Sequence, residues 1–567
     1  MNTKTLKEHT ATLLLVSIAL LLLVYKIYYY FSLRFPYPGF DWGYYQNIAD
    51  HIRRGNGIRT DISLLHKGYS TFPHPTSVYP LWPIVLGTVS KVWDLKKISL
   101  LLPNVFYFLA LVLSYNWANS VTRKSAPPFK NMLHVNWGHL FVLMLGTNFS
   151  FFWSSSLPYT ESLAVVLVFV FLNIGLRIEV RSAESRQSNY IDHGLWGLIS
   201  GLMYLCRHQL ILGVLSGVSV IFLKVILHRD RRRIQIGQLL VYTLSFTLTI
   251  APYIITSLRS LSCGFSQVFL RFDQCIQKES LGILPILKIL QNRQEWLLDR
   301  LKGFPVAFKL TNRLSYGNSM YLFQYFALIA LIALAIHLIR KLNCTKREFQ
   351  LLLSKTAGQL SQTPLLHYIF ALACFLSLHT IHKTFLLQWN FGSRHAIPVS
   401  VFFFLSMFLA RQLINYKLFR TITVFIVVTS LIMFHGKVVK SAFEAKNHAK
   451  LRYKVVDLFT IAKYLDDEAD VLKERIVIAA PDGRPQHLAN MTEHIGYHTY
   501  YKKTPMVPFL KMSDRLHIQY LIDYTRRPIW PGKEHNVEFS KRFRRHRFEG
   551  WKKNTFAIYS RRPQEHP

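Results

Sequence analysis

The stretch ATLLLVSIALLLLVYKIYYYF, residues 11–31, decides the class of fold. It is an apolar run with the length that a helix needs to cross the hydrocarbon core of a bilayer, about 20 residues. A signal-peptide core is shorter and is followed by small residues at a cleavage site, and this run has neither feature. We therefore predict that it is retained as a membrane-spanning helix.

The rest of the chain has a similar composition. Of its 567 residues 51% are hydrophobic, and Lys and Arg total 68 against 30 Asp and Glu, a net charge of +38. Because the basic residues lie between apolar runs and no nucleic-acid-binding module is visible, the charge favours cytoplasmic loops and membrane lipids over nucleic acid. The five cysteines are scattered without a CxxC pair, which argues against a metal or redox centre. Cys263 and Cys275 could pair if their loop is extracytoplasmic.

Clusters of Lys and Arg set the predicted topology, because loops rich in these residues are cytoplasmic. The clusters lie at 122–130, 177–186, 228–233, 340–349 and 411–420. Two apolar runs separate each cluster from the next, so the scheme is consistent. It predicts an α-helical polytopic membrane protein with about eleven spans and a cytoplasmic N-terminus. The predicted spans are 11–31, 99–117, 135–152, 163–176, 195–205, 210–227, 236–255, 321–339, 366–378, 397–409 and 422–434.

Residues 76–95 are apolar but short, and they contain Pro80 and Pro83. If they crossed the membrane, every later loop would change sides. Their length and prolines favour an interfacial or re-entrant helix instead. The helical spacing of apolar residues at 281–304 predicts another helix that lies in the membrane surface.

Two domains follow from this scheme. Residues 1–435 form a transmembrane core with an external loop at 32–97, and residues 436–567 form a small extracytoplasmic α/β domain. In the tail, KVVDLFTIAKYLDDE (454–468) is typical of an amphipathic helix, and ERIVIAAPDG (474–483) of a strand and turn. IQYLIDYTRR and TFAIYSRR predict further strands. No GxGxxG sequence is present, so nothing indicates a nucleotide site.

Two acids border apolar runs on the predicted outer face. Asp41 follows the first run within PYPGFDWGYYQNIADHIRRGNG (36–57), and Glu161 begins the fourth. Acids beside a bilayer are costly unless they have a function. Such acids can deprotonate a hydroxyl or hold a divalent cation. A structural role is open for both: Asp41 as a helix N-cap, and Glu161 as a charge that stabilises a helix start.

Cationic and aromatic residues lie on the same predicted face. The cationic candidates for binding a phosphate are Arg207, Lys383, Arg394 and His395. The candidates for contacting a sugar or an acceptor are Trp42, Tyr44, Tyr45, His74, Tyr159, His208 and Trp389. Snorkelling to headgroups is the alternative for the cations, and membership of an interfacial aromatic belt is the alternative for the aromatic residues.

Five segments resemble, in order, the integral-membrane glycosyltransferases of the C superfamily, which include lipid A aminoarabinose transferases and protein O-mannosyltransferases. They are DWGYYQNIADHIRRGNG (41–57), TFPHPTSVYPLWPIVLGTVSKVW (71–93), WSSSLPYTESLAVVLVFVFL (153–172), GLWGLISGLMYLCRHQLIL (194–212) and FGSRHAIPVSVFFFL (391–405). Two positions depart from the family pattern. Trp42 stands where the second acid of a common Asp-Glu pair would be, and His395 stands where Tyr is usual.

The resemblance implies a polyprenyl-phosphate-linked sugar donor and an extracytoplasmic lipid, glycan or protein acceptor. It implies that Asp41 acts as the base, that Arg207 and Arg394 bind the leaving phosphate, and that the anomeric configuration inverts. A divalent metal cofactor stays open. A bacterial inner membrane, with the site facing the periplasm, is the favoured location. The alternatives are a flippase or transporter for a lipid-linked saccharide, an oligosaccharide ligase or polymerase, and a membrane scaffold without catalysis.

Overall fold

The computed structural model describes residues 3–32, 40–64, 72–76, 80–122, 135–184, 190–207, 210–227, 231–261, 416–447, 449–473, 476–481, 488–489, 492, 495–500, 505–524, 530–546 and 556–562. These residues form two compact units. The first unit holds those up to residue 31, those at 101–256 and those at 416–442, and the second unit holds the remainder.

The described part of the chain is mostly helical. In chain order the helices are α1 (Thr3–Ser32), α2 (Phe40–Arg53), α3 (Leu81–Val89), α4 (Leu95–Val121), α5 (Trp137–Gly146), α6 (Phe149–Ser154), α7 (Glu161–Glu184), α8 (Tyr190–Cys206), α9 (Ile211–Leu227), α10 (Arg232–Leu261), α11 (Tyr416–Asn447), α12 (Ala449–Leu472), α13 (Met506–Arg515) and α14 (Val537–Arg542). The strands are β1 (Arg59–Thr60), β2 (Ile62–Leu64), β3 (His74–Pro75), β4 (Ile476–Pro481), β5 (Ile495–Tyr500), β6 (Tyr520–Tyr524), β7 (Phe543–Arg545) and β8 (Phe556–Arg561).

Five of these helices contain stretches long and apolar enough to cross a membrane. The stretches are Thr12–Tyr29, Leu95–Val121, Glu161–Glu179, Arg232–Leu258 and Thr423–Phe443. They coincide with five predicted spans, which supports the prediction of a polytopic membrane protein. The spans predicted at 321–339, 366–378 and 397–409 lie outside the described residues. The total of eleven spans therefore stays a prediction.

Three predicted spans correspond to shorter helices. The run at 135–152 is divided into α5, of 10 residues, and α6, of 6 residues. The side chain of Asn148 accepts from the backbone N–H of Phe151, and Thr147 Oγ1 donates to the carbonyl of Leu143. These side chains offer the backbone an alternative to continuous helix, so α5 ends there. The runs at 195–205 and 210–227 form α8 and α9, of 17 residues each.

Within the first unit α7 is the most enclosed of the five long helices, with 72% of its apolar stretch buried. It packs against α8, where the rings of Phe171 and Trp196 stack with centroids 5.0 Å apart. On α8, a Cβ added at Gly201 would lie 2.5 Å from the side chain of Thr249 on α10. Such a close approach is open only to a residue without a side chain. The packing of α7 on α8 places Glu161, the first residue of α7, near Arg207, the residue that follows α8.

The second unit contains a six-stranded sheet with the order β2-β5-β4-β6-β8-β7. The first four strands are parallel, and β8 runs antiparallel to both of its neighbours. One apolar cluster covers one face with α12, and another covers the opposite face with α13 and α14. The predicted α/β character of the tail is thereby confirmed, as are the helix at 454–468 and the strands in 474–483, 518–527 and 555–562.

One strand of this sheet comes from the opposite end of the sequence. β2 follows the first membrane helix, and it pairs in parallel with β5, with Ile62 opposite Tyr497 and Ser63 opposite His498. The loop at 32–97 and the tail at 436–567 therefore contribute to the same sheet. Because strands of one sheet cannot lie on opposite sides of a bilayer, the two segments share a side, as the predicted topology requires.

α3 covers nine residues of the stretch at 76–95. At 1.5 Å per residue it is about 13.5 Å long, too short to cross a membrane. It packs on α2, where a Cβ added at Gly87 would lie 2.7 Å from the carbonyl oxygen of Ala49. The structure thus agrees with the prediction that this stretch does not span.

Candidate functional site

In the first unit the structure brings together Glu161 and Arg207, two of the residues singled out in the sequence. Arg207 Nη2 donates to Glu161 Oε1 across 3.0 Å, and Arg207 Nε donates to Thr160 Oγ1 across 2.9 Å. Glu161 is only 2% exposed. Its charge is therefore balanced by the guanidinium and not by bulk water. Glu161 opens α7, and Arg207 directly follows α8.

A turn between α6 and α7 positions Glu161. Ser155 and Ser156 donate their hydroxyl protons to backbone carbonyls at the end of α6, which closes the turn on itself. Tyr159 lies in the same turn, is 6% exposed, and has its ring centroid 5.6 Å from that of Trp153. Tyr159 is therefore part of the packing of this turn.

Sequence reasoning missed Lys26, which binds this turn from α1. Lys26 Nζ donates to the carbonyl of Phe152 at 2.6 Å and to the hydroxyls of Ser155 and Ser156 at 2.7 and 2.9 Å. The ammonium also lies 4.4 Å from the ring centroid of Tyr107 and 4.5 Å from that of Phe152. One signal was available in the sequence, since Lys26 is the only charged residue in the run at 11–31.

The turn therefore lies beside two basic side chains and one acid. Lys26 contacts its first half and the Arg207–Glu161 pair its end. Lys26 Nζ uses three donors on the turn itself, and the guanidinium of Arg207 is paired with Glu161, so these groups hold the turn in place.

An apolar groove lies elsewhere in the first unit, between α1, α5 and α11. Its volume is about 290 Å³, and Leu22, Leu143 and Leu431 are among the residues that line it. Tyr25 and His435 also line it, and their Oη and Nδ1 atoms are 2.8 Å apart. A groove of this kind can accommodate a hydrocarbon chain.

In the second unit Asp41 and Trp42 lie in the first turn of α2. Their side chains are outside the described part of the structure. Further along the helix, Tyr45 is 8% exposed and Ile48 is fully buried, while Tyr44 Oη lies 2.8 Å from Thr76 Oγ1. Tyr45 and Ile48 therefore lie on the packed face of α2.

His74 lies in β3 with both ring nitrogens near backbone carbonyls. Nδ1 is 2.7 Å from the oxygen of Pro75, and Nε2 is 3.0 Å from the oxygen of Ile62. The ring of Phe72 lies edge-on to both His74 and His498, with centroids 5.6 and 5.2 Å away. His74 thus connects the segment around Phe72 to the sheet.

A polar cluster on α2 was not predicted. The side chain of Asn47 contacts Thr60 and Asp61, and His51 Nε2 lies 2.7 Å from Asp61 Oδ2. We call Asn47, His51, Thr60 and Asp61 the α2 clamp. Asn47 and His51 are four residues apart, so they share a helix face, which was the available sequence signal.

A second polar cluster of this unit combines α12 with β6. Tyr520 Oη donates to Glu468 Oε2 at 2.8 Å, and the ring of Tyr464 lies nearby. Burial, followed by hydrogen bonding to Glu468, raises the pKa of Tyr520. The pKa of His546, whose ring centroid is 5.8 Å from that of Tyr464, is lowered by burial.

The remaining candidates, His208, Lys383, Trp389, Arg394 and His395, lie outside the described residues. So do Cys263, Cys275 and the helix predicted at 281–304. Among the described residues no group of three or more His, Cys, Asp or Glu is placed to hold a metal ion. Metal dependence therefore stays open. No protein-family model matches the chain, and no curated protein matches it.

Proposed function

We propose that this chain is a membrane glycosyltransferase that moves a sugar from a polyprenyl-phosphate-linked donor to an extracytoplasmic acceptor, with inversion at the anomeric carbon. The observation that carries the proposal is the placement of Asp41. It lies in the first turn of a well-packed helix, the next helix after α1 in the described part of the chain. This is the arrangement expected of a catalytic acid that works at the membrane surface.

The position of α2 relative to α4 supports this role. Gln46 Nε2 donates to Ser99 Oγ across 2.6 Å, which joins α2 to the beginning of a helix long enough to cross the membrane. Asp41 lies five residues before Gln46, about 7.5 Å along the helix axis. Asp41 is thus about one and a half turns of α2 away from the residue that contacts α4. A lipid-linked donor, anchored by its chain, presents its sugar at such a boundary.

The first unit, taken by itself, has features that suit a lipid-linked phosphate. The apolar groove between α1, α5 and α11 suits an isoprenoid chain. Arg207, the cation that the resemblance assigns to the phosphate, lies beside the turn between α6 and α7.

The reaction follows from these assignments. The Asp41 carboxylate accepts the proton of the acceptor hydroxyl, whose oxygen forms a bond to the anomeric carbon. The bond from that carbon to the phosphate oxygen breaks, and the polyprenyl phosphate leaves with the electron pair. Attack opposite the leaving group inverts the configuration.

The test compares Asp41→Asn with Asp50→Asn. Asp50 lies on the same helix, and its carboxylate pairs with Arg53 and Arg54 at 2.6 and 2.7 Å, so it is a matched control. The assay measures transfer by the purified chain in lipid nanodiscs from a panel of radiolabelled polyprenyl-phosphate sugars. We expect Asp41→Asn to reduce transfer at least about a hundredfold at normal membrane levels, the usual contribution of a general base. Asp50→Asn should transfer at close to the wild-type rate.

Three outcomes would contradict the proposal. Near-wild-type transfer by Asp41→Asn would reduce Asp41 to a structural residue. Transfer from polyprenyl diphosphates alone would identify an oligosaccharide ligase or polymerase. Movement of the labelled lipid between leaflets without transfer would identify a flippase.

A further inference from the structure

We propose that the C-terminal sheet holds the acid-bearing helix α2 in its working position, and that Asn47 is the positioning residue that couples them. This inference rests on the proposed function, because it assigns the sheet a role in placing Asp41. All the groups concerned lie in the second unit.

Asn47 connects α2 with three other segments. Its Oδ1 accepts from Thr60 Oγ1 and from the backbone N–H of Asp61, both at 2.9 Å. Its Nδ2 donates to Asp61 Oδ2 at 3.2 Å and to the carbonyl of Ala489 at 3.5 Å. The side chain is 4% exposed. One buried amide thus uses both its acceptor and its donors to join the helix, β1, the start of β2 and the tail.

The partners of Asn47 are themselves fixed to the sheet. The backbone N–H of Tyr497 donates to the carbonyl of Asp61 at 2.7 Å, immediately before β2 begins its pairing with β5. His51, one turn after Asn47, adds the contact to Asp61 Oδ2, and its Nδ1 lies 3.3 Å from Asn56 Nδ2. Asn47 and His51, on two successive turns of α2, therefore both contact Asp61 at the edge of the sheet.

Asp41 precedes Asn47 by six residues, about 9 Å of helix, so a tilt that begins at the clamp is carried to the acid. A misplacement of about 1 Å can reduce a reaction rate about 10²-fold, because the reacting groups must be close and aligned. The tail, which supplies none of the candidate catalytic residues, is thereby given a part in the reaction.

The first experiment replaces the donor of the clamp with an acceptor. Asn47→Asp keeps the shape and the Oδ1 contacts, but it places an oxygen where Nδ2 faced the Asp61 carboxylate. We expect kcat to fall at least about tenfold while KM for the donor stays within about twofold, since the donor itself is untouched. The reciprocal variant Asn47→Asp/Asp61→Asn rebuilds the hydrogen bond between positions 47 and 61 in the opposite direction and should recover part of kcat. The donor to the carbonyl of Ala489 is still missing in this variant. Asp50→Asn is the control.

The second experiment measures position without activity. Nitroxide labels are attached at Trp42→Cys on α2 and Lys463→Cys on the exposed face of α12, after the native cysteines are replaced. We expect a narrow distance distribution by electron spin resonance in the parent background, a broad one with Asn47→Asp, and a narrow one again in the reciprocal variant. Asp50→Asn should leave it narrow.

The two readouts separate the possible failures. An unchanged distance distribution with Asn47→Asp, or a loss of kcat that the reciprocal variant does not recover even in part, would overturn the positioning role. If the parent chain transfers no sugar but the distribution broadens as expected, the proposed function fails, while the mechanical coupling of the sheet to α2 stands.

Discussion

Arg207 donates to Glu161 across 3.0 Å and joins the end of α8 to the first turn of α7. The carboxylate side chain is 1% exposed and the guanidinium side chain 13%. A pair this deeply buried is strongly interdependent, because either group without the other is a charge removed from water. Any role of Arg207 at a phosphate must therefore be separated from its role at Glu161.

Glu161→Gln and Arg207→Met should each destabilise the protein by about 3–5 kcal/mol, because each change leaves the other charge of the pair buried without its partner. Glu161→Gln/Arg207→Met removes both charges, so it should cost clearly less than the sum of the single changes. Thermal unfolding of the detergent-solubilised protein measures the three values. Additive values would show that the two side chains do not interact in the folded chain.

Lys26→Ala and Lys26→Met should differ in stability. In both variants Ser155 and Ser156 still donate to carbonyls of α6, so their hydroxyls keep hydrogen bonds. Methionine fills most of the lysine volume, and its loss of stability should stay within about 1.5 kcal/mol, as for other volume-conserving changes. Alanine leaves a cavity and should cost about 2–5 kcal/mol. Equal losses of stability in the two variants would show that the hydrogen bonds of the Lys26 amino group, and not its packing, stabilise the protein.

His546 should contribute a dependence of stability on pH. Burial, opposed by Glu468 and assisted by Arg544, holds its folded-state pKa below the ordinary value of 6.5. As the pH falls below about 6.5, the unfolded chain takes up this proton first. The contribution of His546 to the free energy of unfolding is therefore fully present above about pH 6.5. It declines as the pH falls, until the histidine of the folded protein is also protonated.

His546→Gln should flatten this acid-side decline, measured as the unfolding temperature between pH 7.5 and 5. His535→Gln, at an exposed histidine of the same unit, is the control. If the unfolding temperature falls equally in the wild type and in His546→Gln, the pH dependence comes from other groups.

Local patterns in the sequence predicted much of this fold. A membrane helix must be apolar along its whole length, so α1, α4, α7, α10 and α11 were visible as single runs. The amphipathic spacing of α12 and the short apolar runs of β4, β6 and β8 carried the same kind of local information. α11 nevertheless continues to Asn447, beyond the predicted end of its apolar run at 434. Its last three turns still bury Val438 and Ala442, and that packing could not be read from hydropathy alone.

The non-local relationships were not predictable from such patterns. Asn47 contacts Ala489 across 442 positions of sequence. β2 has only three residues, and its identity as a strand depends on its pairing with β5. Glu161 and Arg207 were each identified as charges at the edge of an apolar run, but their pairing depends on how α7 packs against α8. Lys26 is visible in the sequence as the only charged residue of its run, but its partners, one backbone carbonyl and two hydroxyls, carry no sequence signal.

The packing of the loop on the sheet leads to the last prediction, which concerns Gly496 in β5. A Cβ built on Gly496 collides with the ring of Phe72. That ring is held between His74 and His498, so it cannot move aside without disturbing one of them. Gly496→Ala should therefore destabilise the protein by about 1–3 kcal/mol, as overpacking does.

Gly436→Ala is the matched control for this change. No atom lies within 4 Å of a Cβ added at Gly436, in the interior of α11. An alanine there should stabilise the protein by about 0.5–1 kcal/mol, since glycine weakens a helix interior by that amount. Gly496→Ala/Phe72→Leu should be more stable than the two single losses predict, because the smaller side chain makes room for the new methyl group. If Gly496→Ala were as harmless as Gly436→Ala in thermal unfolding, Phe72 would not lie against β5, and the packing of the loop on the tail would have to be redrawn.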